Sequence, residues 1–193
     1  RRYRRMGEFV EVMKGLWTQD TFTHAGDFYQ VAGGRLPIRP RQLPTPPVYA
    51  ATRSTAGKEV IARHCDVWFL PYDPGYRLYD DNLRAMAREI RDMDARAAAL
   101  GRTMRYGISA HVIAAPTMAR AEVEADALEA HGQKDRVSAV AAKALGAGLM
   151  GTPREIAERI RRYEDIGVEC LMLHFHPMMD GLETFAGEVM PLL

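Results

Sequence analysis

Tyr106-Gly107-Ile108-Ser109-Ala110-His111-Val112-Ile113-Ala114 is the stretch that decides the fold. Ile108, Ala110 and Val112 alternate with Ser109 and His111. Side chains along a strand point to opposite faces in turn, so Ser109 and His111 share a face. A strand inside a parallel sheet is normally apolar on both faces, because helices cover both. A serine and a histidine on one face therefore point to a polar cavity, such as a barrel lumen. The competing reading is a core histidine satisfied by a single hydrogen bond.

On either side the text alternates between strand and helix. Residues 3–17 carry Met6, Phe9, Val10, Met13, Leu16 and Trp17 at helical spacing. Residues 21–34, with Gly26 and Gly33-Gly34, read as a hairpin-like excursion, and 35–47 hold Pro37, Pro40, Pro44, Pro46 and Pro47, an extended connector. Residues 48–193 then read as four βα units, with strands at 48–51, 67–70, 106–114 and 170–174. The helices between them fall at 54–64, 77–100, 117–131 and 135–145, with one opening at Thr152-Pro153-Arg154-Glu155 and a closing helix at 182–190. Thr152 is an N-cap, Pro153 suits the first turn, and Glu155 can close a capping box.

Strands alternating with helices imply parallel pairing and right-handed crossovers. Four such strands fit half of an eight-stranded barrel, and also a small open sheet. The chain opens at Arg1, without Met and already inside a helical pattern. The expectation is a single-domain fragment: an α/β fold, the C-terminal half of a (β/α)8 TIM barrel with its N-terminal half absent.

Composition narrows the class. With 47% hydrophobic and 26% charged residues the chain is globular rather than disordered. A formal net charge of +1 gives no field that would favour nucleic acid. No apolar run reaches the roughly 18 residues of a membrane span, and no signal peptide is visible. Cys65 and Cys170 sit in apolar surroundings and read as buried thiols of a cytoplasmic protein.

In parallel α/β folds chemistry gathers at the C-terminal ends of the strands. The first strand runs into Thr52-Arg53-Ser54-Thr55-Ala56-Gly57 and then a helix. A helix N-terminus offers unpaired N–H groups and a positive dipole end. Ser54 and Thr55 add hydroxyls, Arg53 adds charge, and Gly57 permits close approach. This is a candidate phosphate cradle, and the same hydroxyls serve equally as ordinary N-caps. The second strand ends in Pro71-Tyr72-Asp73-Pro74-Gly75, which reads as a turn. The fourth ends in Leu173-His174-Phe175-His176-Pro177, with His174 and His176 on one face. Either histidine can move a proton near neutral pH. A zinc site built from His111, His174 and His176 is the alternative from a different class.

These residues also carry a family likeness. Phe22-Thr23-His24-Ala25-Gly26-Asp27-Phe28-Tyr29 resembles the F-x-x-x-G-x-x-Y segment of the bacterial-luciferase-like flavin monooxygenases. Pro40-Arg41-Gln42-Leu43-Pro44-Thr45-Pro46-Pro47 is similar to their P-x-Q-x-P-x-P-P signature, and Thr52 to Gly57 to their phosphate turn. Gly107-Ile108-Ser109-Ala110-His111-Val112-Ile113 resembles the seventh strand of the alkanesulfonate monooxygenase branch, and Gly151 to Ile160 with Gly167-Val168-Glu169 the family's last helix and entry to strand eight.

The resemblance implies a (β/α)8 enzyme that takes reduced FMN (FMNH2) from a separate NAD(P)H:flavin reductase. It implies activation of O2 as a C4a-peroxyflavin and oxygenation of a small, often organosulfur, substrate. F420 replaces FMN in one branch. By matched position, Arg53, Ser54, Thr55 and Gly57 bind the cofactor phosphate, and His111, His176 and Ser109 are catalytic. Ser109 stands where the alkanesulfonate branch has arginine, and His176 where it has tyrosine. A loop that carries an arginine over the substrate falls at 133–148, which holds only Lys134, Arg136 and Lys143. The full-length enzyme is expected to be a homo-oligomer.

Overall fold

The computed structural model describes residues 1–132, 134 and 142–193. The chain separates into two compact units, 1–69 with 92–105, and 70–91 with 106–193. Four strands belong to one sheet, in the order β3 (Tyr49–Ala51), β4 (Val67–Phe69), β5 (Arg105–His111) and β8 (Val168–His174).

The first unit begins with α1 (Arg2–Thr18), followed by an antiparallel hairpin of β1 (Phe22–Ala25) and β2 (Gln30–Gly34). One carboxylate pins the hairpin to the helix. Glu8 accepts from the backbone N–H of Phe28 at 2.9 Å and of Tyr29 at 2.6 Å. A side chain at Gly26 would place its Cβ 2.1 Å from the same carboxylate. The glycine of the F-x-x-x-G-x-x-Y string is bare because Glu8 occupies that space. Beyond the connector, β3 pairs parallel with β4, Ala50 opposite Trp68. Between them runs α2 (Thr55–His64), which packs on α1. Asp66 ties the entry to both strands: its carboxylate accepts from Val48 N–H at 2.8 Å and pairs with Lys14 and Arg102. Ile61, Cys65, Val67, Trp68 and Met93 form the unit's core.

In the second unit β5 pairs parallel with β8, Ser109 opposite Met172 and His111 opposite His174. The helices are α3 (Tyr79–Ala98), whose later part belongs to the first unit, α4 (Met118–Gly132), α5 (Pro153–Asp165) and α6 (Met178–Thr184). Thr152 caps α5 in a complete capping box with Glu155. The sequence reading of one continuous strand at 106–114 is corrected. β5 stops at His111, and Val112 N–H donates to His174 carbonyl at 2.9 Å. The chain then turns to a different partner, as β6 (Ile113–Ala114) pairs with β7 (Met150–Gly151), a strand too short for periodicity to mark. The closing helix begins at Met178 rather than 182 and continues as a wider π turn over Phe185–Val189. Most of the helix expected at 135–145 lies outside the described residues, as does Arg136 of the substrate-loop comparison.

Candidate active site

The first unit holds the candidate phosphate turn, residues 52–57. Ser54 is the N-cap of α2 with an extended backbone, and its hydroxyl accepts from Gly57 N–H at 3.2 Å. Thr52 stands behind it. Its Oγ1 accepts from Ser54 N–H at 3.2 Å, lies 3.3 Å from Ser54 Oγ, and lies 3.1 Å from the phenol of Tyr3. The Arg2 guanidinium donates to the same phenol at 2.8 Å. Hydrogen bonds from Ser54 first and Thr52 second pull the Tyr3 phenol down to about 8. Three hydroxyls and a guanidinium thus converge at the positive end of α2, whose Thr55 and Ala56 are exposed. Gly57 contributes indirectly: a Cβ there would meet Thr52 Oγ1 at 2.3 Å and Tyr3 Cε1 at 2.8 Å. Its bareness lets both side chains close on the turn. Arg53 is exposed beside it. Sequence reasoning assigns no separate role to Tyr3 or Thr52. Tyr3 lies far away in the chain, inside what reads as a plain amphipathic helix.

The turn fits a phosphate in its chemistry. It offers N–H groups at a helix start, neutral hydroxyl donors and guanidinium charge, and no carboxylate is bonded to its hydroxyls among the described residues.

The second unit holds the imidazoles. His111 is buried at 2% exposure, and neither ring nitrogen has a hydrogen-bond partner among the described residues. A neutral imidazole carries one donor and one acceptor, and leaving both unmet in a buried position is costly. Burial first, then the nearby His174 and His176, push its pKa down to about 4, so the ring is neutral at physiological pH. Ser109 Oγ lies 2.8 Å from His174 Nε2. Ser109, His111, Met172 and His174 therefore form one face of the β5–β8 pair, with His176 exposed just beyond the strand end. The opposite face is packed: Ile108 and Ala110 are fully buried, and the Phe175 ring lies 5.7 Å from that of Phe185.

From sequence His174 is a candidate for proton transfer or metal binding, and the structure makes it the partner of Ser109. Among the described residues, no three His, Cys, Asp or Glu side chains gather as a metal ion would require. Tyr72, which reads as part of a turn, donates its hydroxyl to the Ser109 carbonyl, and burial pushes its pKa up to about 12. The loop that carries Tyr72 is fixed by buried Asn82. Its Oδ1 accepts from Asp73 N–H at 2.9 Å, and its Nδ2 donates to the carbonyls of Asp73 at 2.9 Å and Gly146 at 2.8 Å.

The sequence profile of the luciferase-like monooxygenases matches residues 1–170. The chain belongs to this family. It is 29% identical to an FMNH2-dependent dimethylsulfone monooxygenase of Pseudomonas putida, over all of this chain and 58% of that protein. It is 27% identical to a sulfoquinovose monooxygenase of Agrobacterium fabrum, over 98% of this chain and 58% of that protein. Among solved structures, the EDTA monooxygenase of Chelativorans sp. BNC1 superposes with a TM-score of 0.73 at 21% identity, covering 99% of this chain and 60% of that one. An F420-dependent secondary alcohol dehydrogenase superposes with a TM-score of 0.70 at 19% identity, covering 99% and 62%. The chain thus spans little more than half the length of the curated relatives it matches. Its parallel strands and their helices are units of the family's (β/α)8 architecture. Among the described residues no helix is long and apolar enough to cross a membrane.

Proposed function

We propose that the protein carrying this chain is an FMNH2-dependent, two-component monooxygenase of a small organic, organosulfur-type substrate. The observation that carries the reading is His111, a buried neutral imidazole with no hydrogen-bond partner for either nitrogen among the described residues, on the face that also presents Ser109 and His174. Such a ring needs a ligand atom to complete its hydrogen bonding, and a neutral imidazole can both donate and accept a proton. In this reading Ser54, Thr55, Arg53 and Tyr3 hold the FMN phosphate, with Gly57 allowing the turn to close. His111 faces the reacting atoms, Ser109 sits beside it, and His176 guards the strand end.

When bound, reduced FMN supplies the two electrons with which O2 places one oxygen atom on the substrate and the other in water. The protein's part is to hold the phosphate, orient the substrate and exclude water. Reduced flavin comes from a separate NAD(P)H:flavin reductase. That dependence fits a cytoplasmic enzyme, as do the free thiols Cys65 and Cys170. The working form is a homo-oligomer.

FMN is preferred to F420 because the dimethylsulfone monooxygenase, identical at 29% of positions, is FMNH2-dependent, whereas the F420 enzyme shares the fold at 19%. The test supplies the purified protein with substrate and either FMNH2 or reduced F420 under labelled O2. Label entering the product with FMNH2 alone supports the reading. Oxidation of reduced F420 without label incorporation replaces it with the deazaflavin reading.

A further inference from the structure

Ser109 is held at both of its ends. On the backbone side, Leu70 N–H donates to the Gly107 carbonyl at 2.8 Å, a rung of the parallel ladder. The rungs of such a ladder recur every two residues along each strand. The next acceptor is therefore the Ser109 carbonyl, and the next donor would come from residue 72. Pro71 ends the extended run, and the Tyr72 hydroxyl donates to the Ser109 carbonyl in its place. The loop that presents Tyr72 is fixed in turn. Buried Asn82 bonds both backbone groups of Asp73 and the carbonyl of Gly146. Gly146 packs so tightly on this loop that a Cβ there would lie 2.2 Å from the Asp73 carbonyl oxygen and 2.9 Å from the Tyr72 ring. On the side-chain side, β8 sets His174 beside the strand, and its Nε2 lies 2.8 Å from Ser109 Oγ.

We propose that Tyr72 and His174 are positioning residues for the Ser109–His111 face: Tyr72 fixes the strand at Ser109, and His174 aims the Ser109 hydroxyl. The proposal rests on the monooxygenase reading above and deepens it by these two residues. Ser109 and His111 are two positions apart on one strand, so a shift at one carries the other. A serine hydroxyl has one donor and two acceptor positions and rotates freely unless a partner holds it. With His174 Nε2 as a fixed partner, the remaining positions of Oγ point in a set direction before a ligand arrives. A group oriented in advance costs no reorganisation when the reaction occurs. His174 acts here through its hydrogen bond, and Tyr72 through a bond to backbone that leaves the polar face itself untouched.

Three variants test this in the protein carrying this chain, with reduced FMN, O2 and dimethylsulfone as the probe. Tyr72→Phe removes only the hydroxyl. His174→Leu removes the bond to Ser109, and His174→Gln restores an amide that reaches Ser109 but takes up no proton near neutral pH. We expect Tyr72→Phe and His174→Leu to lower kcat by about tenfold or more, with KM and FMN affinity changed by less than about threefold, the pattern of a misplaced reacting group. His174→Gln should recover most of that loss and keep the shape of the pH profile of kcat. Nitrogen-15 NMR of the histidine rings, recorded without flavin, reads the same geometry apart from turnover. The His111 ring signals should move in Tyr72→Phe, and the His174 Nε2 signal should move in Ser109→Ala. His174→Gln as slow as His174→Leu would make the imidazole a proton-transfer group and overturn its positioning role. Natural kcat in Tyr72→Phe or His174→Leu overturns the role of that residue. If FMNH2 supports no oxygenation, the monooxygenase reading fails and the NMR alone decides: signals that stay in place overturn the positioning roles, and signals that move uphold them.

Discussion

Ser109 Oγ on β5 lies 2.8 Å from Nε2 of His174 on β8, although the two residues are 65 positions apart in the chain. They are adjacent because β5 and β8 are parallel partners, in a register that sets Ser109 against Met172 and His111 against His174. The pair holds His174 in place, while His111 beside it is left with open hydrogen-bonding capacity. A buried ring without a partner among the described residues, next to one that is satisfied, is the asymmetry expected where a ligand completes the site.

Substitution at the proposed phosphate turn separates capping from ligand binding. Ser54→Ala should cost about 1 kcal/mol of stability through loss of the N-cap. It should also weaken FMN binding by about 1 kcal/mol or more, the worth of a hydrogen bond to a charged group. Ser54→Asp keeps a good cap but sets a carboxylate against the phosphate. Its thermal stability should stay near that of the natural protein while flavin affinity falls by at least about tenfold. Flavin affinity unchanged in Ser54→Asp would leave Ser54 as a helix cap and nothing more.

Asn82 supports the site from behind. Its side chain makes three hydrogen bonds, to both backbone groups of Asp73 and to Gly146 carbonyl, in a position only 3% exposed. Asn82→Ala removes all three bonds and leaves the buried Gly146 carbonyl without the amide that meets it. We expect a loss of about 3 kcal/mol in denaturant unfolding. Because Tyr72 is carried by the same loop and bonds the Ser109 carbonyl, turnover should fall as well. A loss below about 0.5 kcal/mol would show that water replaces the amide without cost.

Much of this is legible in the chain. The alternation around Ser109 and His111 marks the polar face correctly, since an apolar strand gains nothing from a polar pair unless a cavity or a partner receives it. The capping signals at Thr152-Pro153-Arg154-Glu155 mark the start of α5 because a cap is made by neighbours in the chain. Periodicity does not reach features made by distant partners. Tyr3 joins Thr52 only through the packing of α1 on α2. The strand at 106–114 breaks because Ile113 finds β7, a two-residue partner with no pattern of its own. Asn82 looks like any polar position on the amphipathic helix α3 until its three backbone partners are in view.

His111 should also set a pH dependence. Its pKa falls from the usual 6.5 to about 4 in the folded protein, through burial and then His174 and His176. Between those values the unfolded chain binds a proton that the folded chain does not, so stability falls as the pH drops from 6.5 towards 4. Above 6.5 both states are neutral at this group and its contribution is complete. Urea midpoints measured across that window should fall more steeply for the natural protein than for His111→Gln. Parallel curves for the two would show that His111 titrates normally.

In the proposed enzyme His111 acts on the reacting atoms while the phosphate turn holds the cofactor. Single-turnover oxygenation separates these roles, using the protein carrying this chain, preloaded with FMNH2 and mixed with O2 and dimethylsulfone, for the natural sequence and for His111→Ala. The rate of product formation should drop by roughly 100-fold, the scale of one general acid–base group, while FMN affinity changes by less than about threefold. A His111→Ala variant that oxygenates its substrate at the natural rate would remove His111 from the chemistry.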